Sequence, residues 1–437
     1  MRNRLAIKVW KANELPRNWF KRKTNDEKGS LNVESDVKEI IEAVKKQGNA
    51  ALVEFTERFD KTKLSARELK VTSAEIKAAY KAVSPQQIDA LKLMRERLFA
   101  NEKLALQQIG YKTAREGISI HTVMRPIESV GCYVPAGQAV YPSTLVMTTT
   151  PAKVAGVQRI VVCSPPTSKG SINPLILAAA DICQIDEVYK VGGVQAIAAL
   201  AYGTETIKPV KKIVGPGSKY VTAAKVQVSK DVAIDMPAGP SEVLVLADEE
   251  ANPKLVAADM ISQAEHGIDS VAGLITPSRK LVDSVLRSLE EQSALGERRE
   301  IVEKALSTQG FIVICKDDLD TMAALANTFA PEHLEIMTKA PKDIADRITT
   351  AGLILLGPYS PVALSDYGSG TNHVLPTGGF GSVYSGLSAL DFMRRVSIVE
   401  GSKEGLDKLR GHVKVLTEAE NLPNHYKAVE TRFENES

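Results

Sequence analysis

Short β-branched runs, each closed by glycine or proline and separated by alanine-rich helical stretches, occupy the middle of this chain at residues 129–134, 159–162, 187–191, 212–214 and 242–246. The helical stretches between them include 173–183 and 194–202. A second series follows, with a helix over 252–266 and strands near 271–275, 311–314 and 353–355. Parallel strands need a crossover, so strand, loop, helix and strand at this spacing predict βαβ units. At 437 residues the chain is also too long for one ordinary core, so two α/β units are expected.

The flanks differ. Residues 1–30 have the composition of a polar arm. Val37, Ile40, Ile41 and Val44 then recur at helical spacing, and further helical patterns cover 73–83 and 85–108, the latter opening on Ser84-Pro85, a cap followed by a first-turn proline. The last fifty or so residues have the pattern of a helical appendage.

Charge and cysteine usage exclude several classes of function. A formal net charge of +2 gives no electrostatic case for nucleic acid or an anionic membrane surface. The basic groups at 21–23 and 211–212 alternate with acids and are expected to be solvated faces. No apolar run is long enough to span a bilayer, and the basic N-terminus lacks a secretory core, so a cytoplasmic location is expected. Cys132, Cys163, Cys183 and Cys315 show no CxxC spacing and are expected to be buried thiols. Cys132, among turn residues in Gly131-Cys132-Tyr133-Val134-Pro135, is the one that could display a nucleophile.

Five of the six histidines follow residue 260, alongside two Glu-His pairs, Glu265-His266 and Glu332-His333. Gln263 and His266, spaced i and i+3, share one helix face and could share a metal; an exposed polar face at a helix end is the alternative. Asp366, in a glycine-punctuated loop, and His373 and His425 are further available donors. Oxygen and nitrogen donors of this kind suit zinc or a similar divalent ion. If Glu332 and His333 are helical, they point in different directions and would do separate jobs, one activating water and the other moving a substrate proton; a capping acid beside a surface histidine is the alternative. Gly215-Pro216-Gly217-Ser218 and Gly192-Gly193 each follow an expected strand and precede a helix. Such turns let backbone approach a phosphate, although GxGxxG is absent and a plain strand-to-helix turn would look the same. Two of them in neighbouring units make a nucleotide crevice at the strand ends more credible.

Taken in order, several blocks closely resemble the histidinol dehydrogenase family over about residues 33–432. They are 131–143 (GCYVPAGQAVYPS), 191–196, 212–225, 235–246 (DMPAGPSEVLVL), 262–267, 330–336, 371–379 (TNHVLPTGG) and 385–392 (SGLSALDF). The resemblance implies two incomplete Rossmann-like, aldehyde-dehydrogenase-like α/β domains. It divides the chain into an arm at 1–30, a first domain at 31–134 plus 243–386, a second, cofactor-binding domain at 135–242, and a helical extension at 387–437. It implies a zinc ion held by Gln263, His266, Asp366 and His425, the last reaching in from the partner of an intertwined homodimer. Glu332 would activate water and His333 would act as general acid and base. Ser241, His373 and Glu420 would line the substrate site together with the metal set and His333, and Tyr133, Gln195 and the turn ending at Ser218 would hold NAD. The implied reaction is the four-electron, NAD-dependent oxidation of L-histidinol through L-histidinaldehyde to L-histidine. A related zinc and NAD dehydrogenase of another small polyol, such as a sulfonated propanediol, is the alternative; Glu420, His373 and His425 favour histidinol. Ser218 departs from the family's usual asparagine and loses the amide's reach toward the cofactor. Ala136 stands for glycine and Gly267 for aspartate.

Overall fold

The computed structural model describes residues 6–20, 27–107, 109–136, 139–236, 239–316 and 318–434, and for 27–31 the backbone alone. The basic group at 21–23 lies outside the described residues. The strands, in chain order, are β1 (Lys8–Lys11), β2 (Tyr111–Arg115), β3 (Ile118–Pro126), β4 (Ser129–Tyr133), β5 (Arg159–Ser164), β6 (Glu187–Lys190) and β7 (Lys212–Val214). They continue with β8 (Ala233–Ile234), β9 (Glu242–Ala247), β10 (Val271–Thr276), β11 (Phe311–Ile314), β12 (His333–Met337), β13 (Leu353–Leu356) and β14 (Met393–Gly401). All eight expected strands are present. The helices between them start where capping chemistry allows: Asn173 and Asn252 each accept a backbone N–H two residues on, and each precedes a proline that opens the helix.

Two parallel sheets result. One has the order β6-β5-β4-β7-β8 and the other β1-β11-β10-β9-β12-β13. In each, the chain winds outward from a central strand, β4 or β9, and then returns to its other side. This is the doubly wound order, with a reversal between β4 and β7 and another between β9 and β12. Strands buried on both faces need near-continuous apolar sequence, which is why the βαβ pattern stands out in the sequence.

The packing of the flanks adds detail to three expectations. Val37, Ile41, Val44 and Leu52 pack with Ile197, Leu200, Val221 and Val228, and Leu91, Met94 and Leu98 with Leu145, Met147 and Leu177. The helical segment expected to join 243–386 therefore covers the five-stranded sheet, because its apolar stripes meet the nearest unpaired helix faces there. The expected polar arm supplies β1, an edge strand parallel to β11, and Trp19 stacks on Phe329 at 5.8 Å. The C-terminal part is helical over Lys403–Ala419 and Pro423–Glu430, but β14 precedes these helices and runs antiparallel to β3 along nine residues. Lys212 is also not a solvated charge: it is largely covered and its Nζ donates to the Asp391 carbonyl at 2.7 Å. No helix is long and apolar enough to cross a membrane among the described residues.

The two units meet edge to edge. Helix Pro142–Ala155 starts at the carboxyl ends of the five-stranded sheet. Its Met147 carbonyl accepts from Asn372 Nδ2 at 2.8 Å, while Val374, Leu387, Ala389 and Phe392 enter that unit's core. The carboxyl edge of the five-stranded sheet thus faces the amino ends of β9 and β12.

Candidate active site

The site gathers at those amino ends. Helix Leu319–Phe329 stops at Ala330, whose φ of +48° turns the chain back, and after Pro331 and Glu332 the strand β12 begins at His333. The pair Glu332-His333 is therefore at a strand start and not on a helix. Glu332 lies just outside the strand and His333 opens it. Both side chains are buried.

The backbone of one residue on the adjacent strand orients both. The N–H of Glu242 donates to Glu332 Oε2 at 2.7 Å, and the Glu242 carbonyl accepts from His333 Nδ1 at 3.1 Å. A carbonyl can only accept, so the proton sits on Nδ1, and Nε2 is left without a hydrogen-bond partner. Asp366 Oδ1 lies 3.7 Å from Nε2, and Glu332 Oε2 lies 3.6 Å from Nδ1. Burial works against a charged imidazole, but Glu332 and Asp366 outweigh it and push the His333 pKa up to about 10; a cation held on Asp366 would offset that pull and leave Nε2 able to accept a proton. Burial likewise works to raise Asp366, and the nearby His333, together with His373 and His266, reverses it, holding the carboxyl below the usual range. Glu242 itself is fully buried, and its Oε1 accepts from Gly378 N at 2.9 Å. Sequence reasoning missed this residue; the available signal was a lone acid opening the otherwise apolar strand Glu242–Ala247.

Helix Pro253–Ala264 runs back from the carboxyl end of β9, with Gln263 in its last turn and His266 just past its end; His266 and His333 both lie close enough for their charges to act on Asp366. Gln263 Oε1 and Asp366 Oδ1 are buried and have no hydrogen-bond partner. Orphaned buried oxygens of this kind carry a desolvation penalty that a cation would relieve. No three His, Cys, Asp or Glu side chains form a metal cage among the described residues. A single chain would offer only His266 and Asp366 of those types, with the Gln263 amide oxygen as its third donor. The donors therefore fit a divalent ion that lacks one ligand in this chain.

His373 follows Asn372, whose side chain is tied to Met147, and its Nε2 lies 3.5 Å from Thr144 Oγ1. Burial holds the His373 imidazole below its usual pKa despite the charge of Asp366. Ser241 precedes β9, and its carbonyl accepts from Val271 N.

Tyr133, Gln195 and Ser218 lie across the gap, at the carboxyl edge of the five-stranded sheet. Tyr133 ends β4 and its hydroxyl accepts from Gly193 N at 3.1 Å. Gln195, in the first turn of helix Gly193–Tyr202, is buried with neither amide atom partnered. Gly215 has φ +116°, and a Cβ there would sit 2.2 Å from the Tyr133 carbonyl oxygen. The turn is pinned below by a buried ion pair between Lys225 and Asp235, with Lys225 Nζ also donating to the Gly215 carbonyl and Asp235 Oδ2 accepting from Gly215 N. Ser218 is the N-cap of helix Lys219–Val228 but its side chain makes no capping bond. Unpartnered amide atoms, a helix N-terminus and close backbone approach at a strand-order reversal fit a dinucleotide.

Glu420 and His425 are not brought to this cluster within the chain. They sit exposed on the C-terminal helices, and neither side chain has a hydrogen-bond or ion-pair partner among the described residues. Cys132 is not displayed either. It lies within β4, fully buried, and burial pushes its thiol up to about 12, which leaves no thiolate to act as nucleophile. Among the described residues no disulfide joins the cysteines.

Comparison with known proteins places the chain among relatives of one kind. A sequence model described as histidinol dehydrogenase matches residues 21–433. The histidinol dehydrogenase of Archaeoglobus fulgidus is 44% identical over 398 residues, covering 91% of this chain and 95% of its own. That of Listeria monocytogenes is 44% identical over 413 residues, covering 94% and 96%. A crystal structure of histidinol dehydrogenase from Elizabethkingia anophelis superposes with a TM-score of 0.92 at 37% identity, covering 98% of each chain.

Proposed function

The chain belongs to the histidinol dehydrogenase family of NAD-dependent oxidoreductases, and from that membership we propose that it oxidises L-histidinol through L-histidinaldehyde to L-histidine in the cytoplasm. The observation that carries the chemistry is the double hold of Glu242 on Glu332 and His333, which leaves His333 Nε2 free beside Asp366. NAD, when bound, supplies the hydride acceptor, twice in succession. Zinc, when bound to Gln263, His266 and Asp366, supplies a Lewis acid that fixes an amino-imidazole substrate in place.

The protein's own groups then handle protons. In the first oxidation the alcohol proton must leave as the carbinol C–H bond breaks, and His333 Nε2 accepts it. The aldehyde must next gain water. Glu332, buried and aligned by the Glu242 N–H, takes a proton from that water, while His333 returns its proton to the carbonyl oxygen. The hydrate is an alcohol again, and His333 accepts its hydroxyl proton in the second oxidation. Two buried carriers with different partners let one site run both halves.

A homodimer is part of this reading. It is supported by the unpartnered His425 and Glu420, and by Val399, Val415 and Leu416, each more than 60% exposed on β14 and the helix after it. Exposed apolar area of this kind marks an interaction face. His425 of the partner subunit would complete the metal set and Glu420 of the partner subunit would face the substrate. The test is NADH formation from L-histidinol set beside a sulfonated propanediol. Turnover of histidinol alone supports the proposal, and turnover of the diol alone overturns it.

A further inference from the structure

Behind the site lies a pair of acids, one buried and one half-buried, that the chemistry above does not use. His333 and Glu335 alternate along β12, so both face the same side of the sheet as Val243 and Val245, the side covered by helix Pro253–Ala264. Glu335 is fully buried. Its Oε1 accepts from Val362 N at 2.9 Å, at the start of helix Val362–Tyr367, which carries Asp366. Its Oε2 is buried and accepts no N–H or O–H from any other group. The acid that lies against it is Asp259, on the helix that covers this side of the sheet. Asp259 sits one helical turn before Gln263.

Two carboxylates cannot bond each other unless one carries a proton. We propose that Glu335 is a neutral carboxylic acid donating its O–H to the Asp259 carboxylate, and that this bridge is a positioning device for the metal donors and His333. It joins three elements that each bring a site residue: helix Pro253–Ala264 with Gln263, strand β12 with His333, and helix Val362–Tyr367 with Asp366. Protonated Glu335 then has every polar atom accounted for, with the carbonyl oxygen on Val362 N–H and the hydroxyl on Asp259. Burial and the facing Asp259 charge both drive the Glu335 carboxyl upward, in keeping with this assignment.

The metal part of this inference rests on the reading of Gln263, His266 and Asp366 given above, and the test separates the two. Infrared difference spectra of the full-length protein should show the carbonyl stretch of a protonated carboxylic acid that is missing from Glu335→Gln. Glutamine keeps one acceptor and one donor, so Glu335→Gln should retain zinc through dialysis against a chelator and turn over like the parent. Glu335→Leu should bind zinc roughly 10–100-fold more weakly, the range for losing an outer partner of a metal site. Absence of the band overturns the shared proton. Equal loss of zinc in the Gln and Leu variants, or full retention in both, overturns the positioning role. A clear band with no histidinol turnover by the parent protein would instead refute the substrate reading and leave the bridge standing.

Discussion

His333 can move a substrate proton through only one of its nitrogens, because Nδ1 is committed to the Glu242 carbonyl. The imidazole ring is thereby fixed in orientation and tautomer before any ligand arrives, and Glu332 is aligned from the same backbone. Replacing Glu332 with Gln keeps the shape and removes the base. Oxidation of histidinaldehyde by Glu332→Gln should fall about 10²–10⁴-fold, measured as NADH release, with the fold unchanged by circular dichroism. Cys132→Ala should leave turnover near that of the parent, since its thiol is held protonated inside β4; a collapse of the rate with intact folding would return the thiol to the mechanism. These roles were partly legible in the sequence. The i, i+3 spacing set Gln263 and His266 close together, and the structure has Gln263 in the last turn of its helix with His266 just past the end. Glu242, Asp259 and Glu335 were not legible, because an acid in an apolar run gives no local sign of which buried partner it meets.

At the scale of elements, the doubly wound sheets were readable because their strands are buried on both faces and give continuous apolar runs closed by glycine or proline. The strands that escaped notice are those with weak patterns. β2 is exposed along its whole length, β14 nearly so, and β1 is four residues at a sheet edge. β12 was hidden by its function, since His333 and Glu335 occupy positions where an apolar strand would show its period. The cofactor turn depends on Gly215, and Gly215→Ala combines a clash at the Tyr133 carbonyl with a φ that alanine resists. NAD affinity of Gly215→Ala, read by calorimetric titration, should drop, and stability should fall by about 1–3 kcal/mol. Lys225→Met strands the buried Asp235 carboxylate beneath that turn. It should cost about 3–5 kcal/mol in chemical denaturation, and a loss below about 1 kcal/mol would mean the pair is not sealed from water.

For the whole molecule, the two sheets present opposite edges to one gap, cofactor turns on one side and proton carriers on the other. On the proposed reading one chain leaves that gap short of a metal ligand. Glu332→Gln and His425→Asn should each be inactive alone, while a mixture that exchanges subunits should recover part of the activity, because heterodimers carry one intact site. Confirmed exchange without recovery would mean that each chain completes its own site. The most direct test of the account is the ratio of NADH to histidine formed from L-histidinol by the purified protein in a single reaction. Two NADH per histidine, with no free aldehyde accumulating, is the result predicted for one site carrying both oxidations. One NADH per histidinol consumed, with the aldehyde as end product, would contradict it.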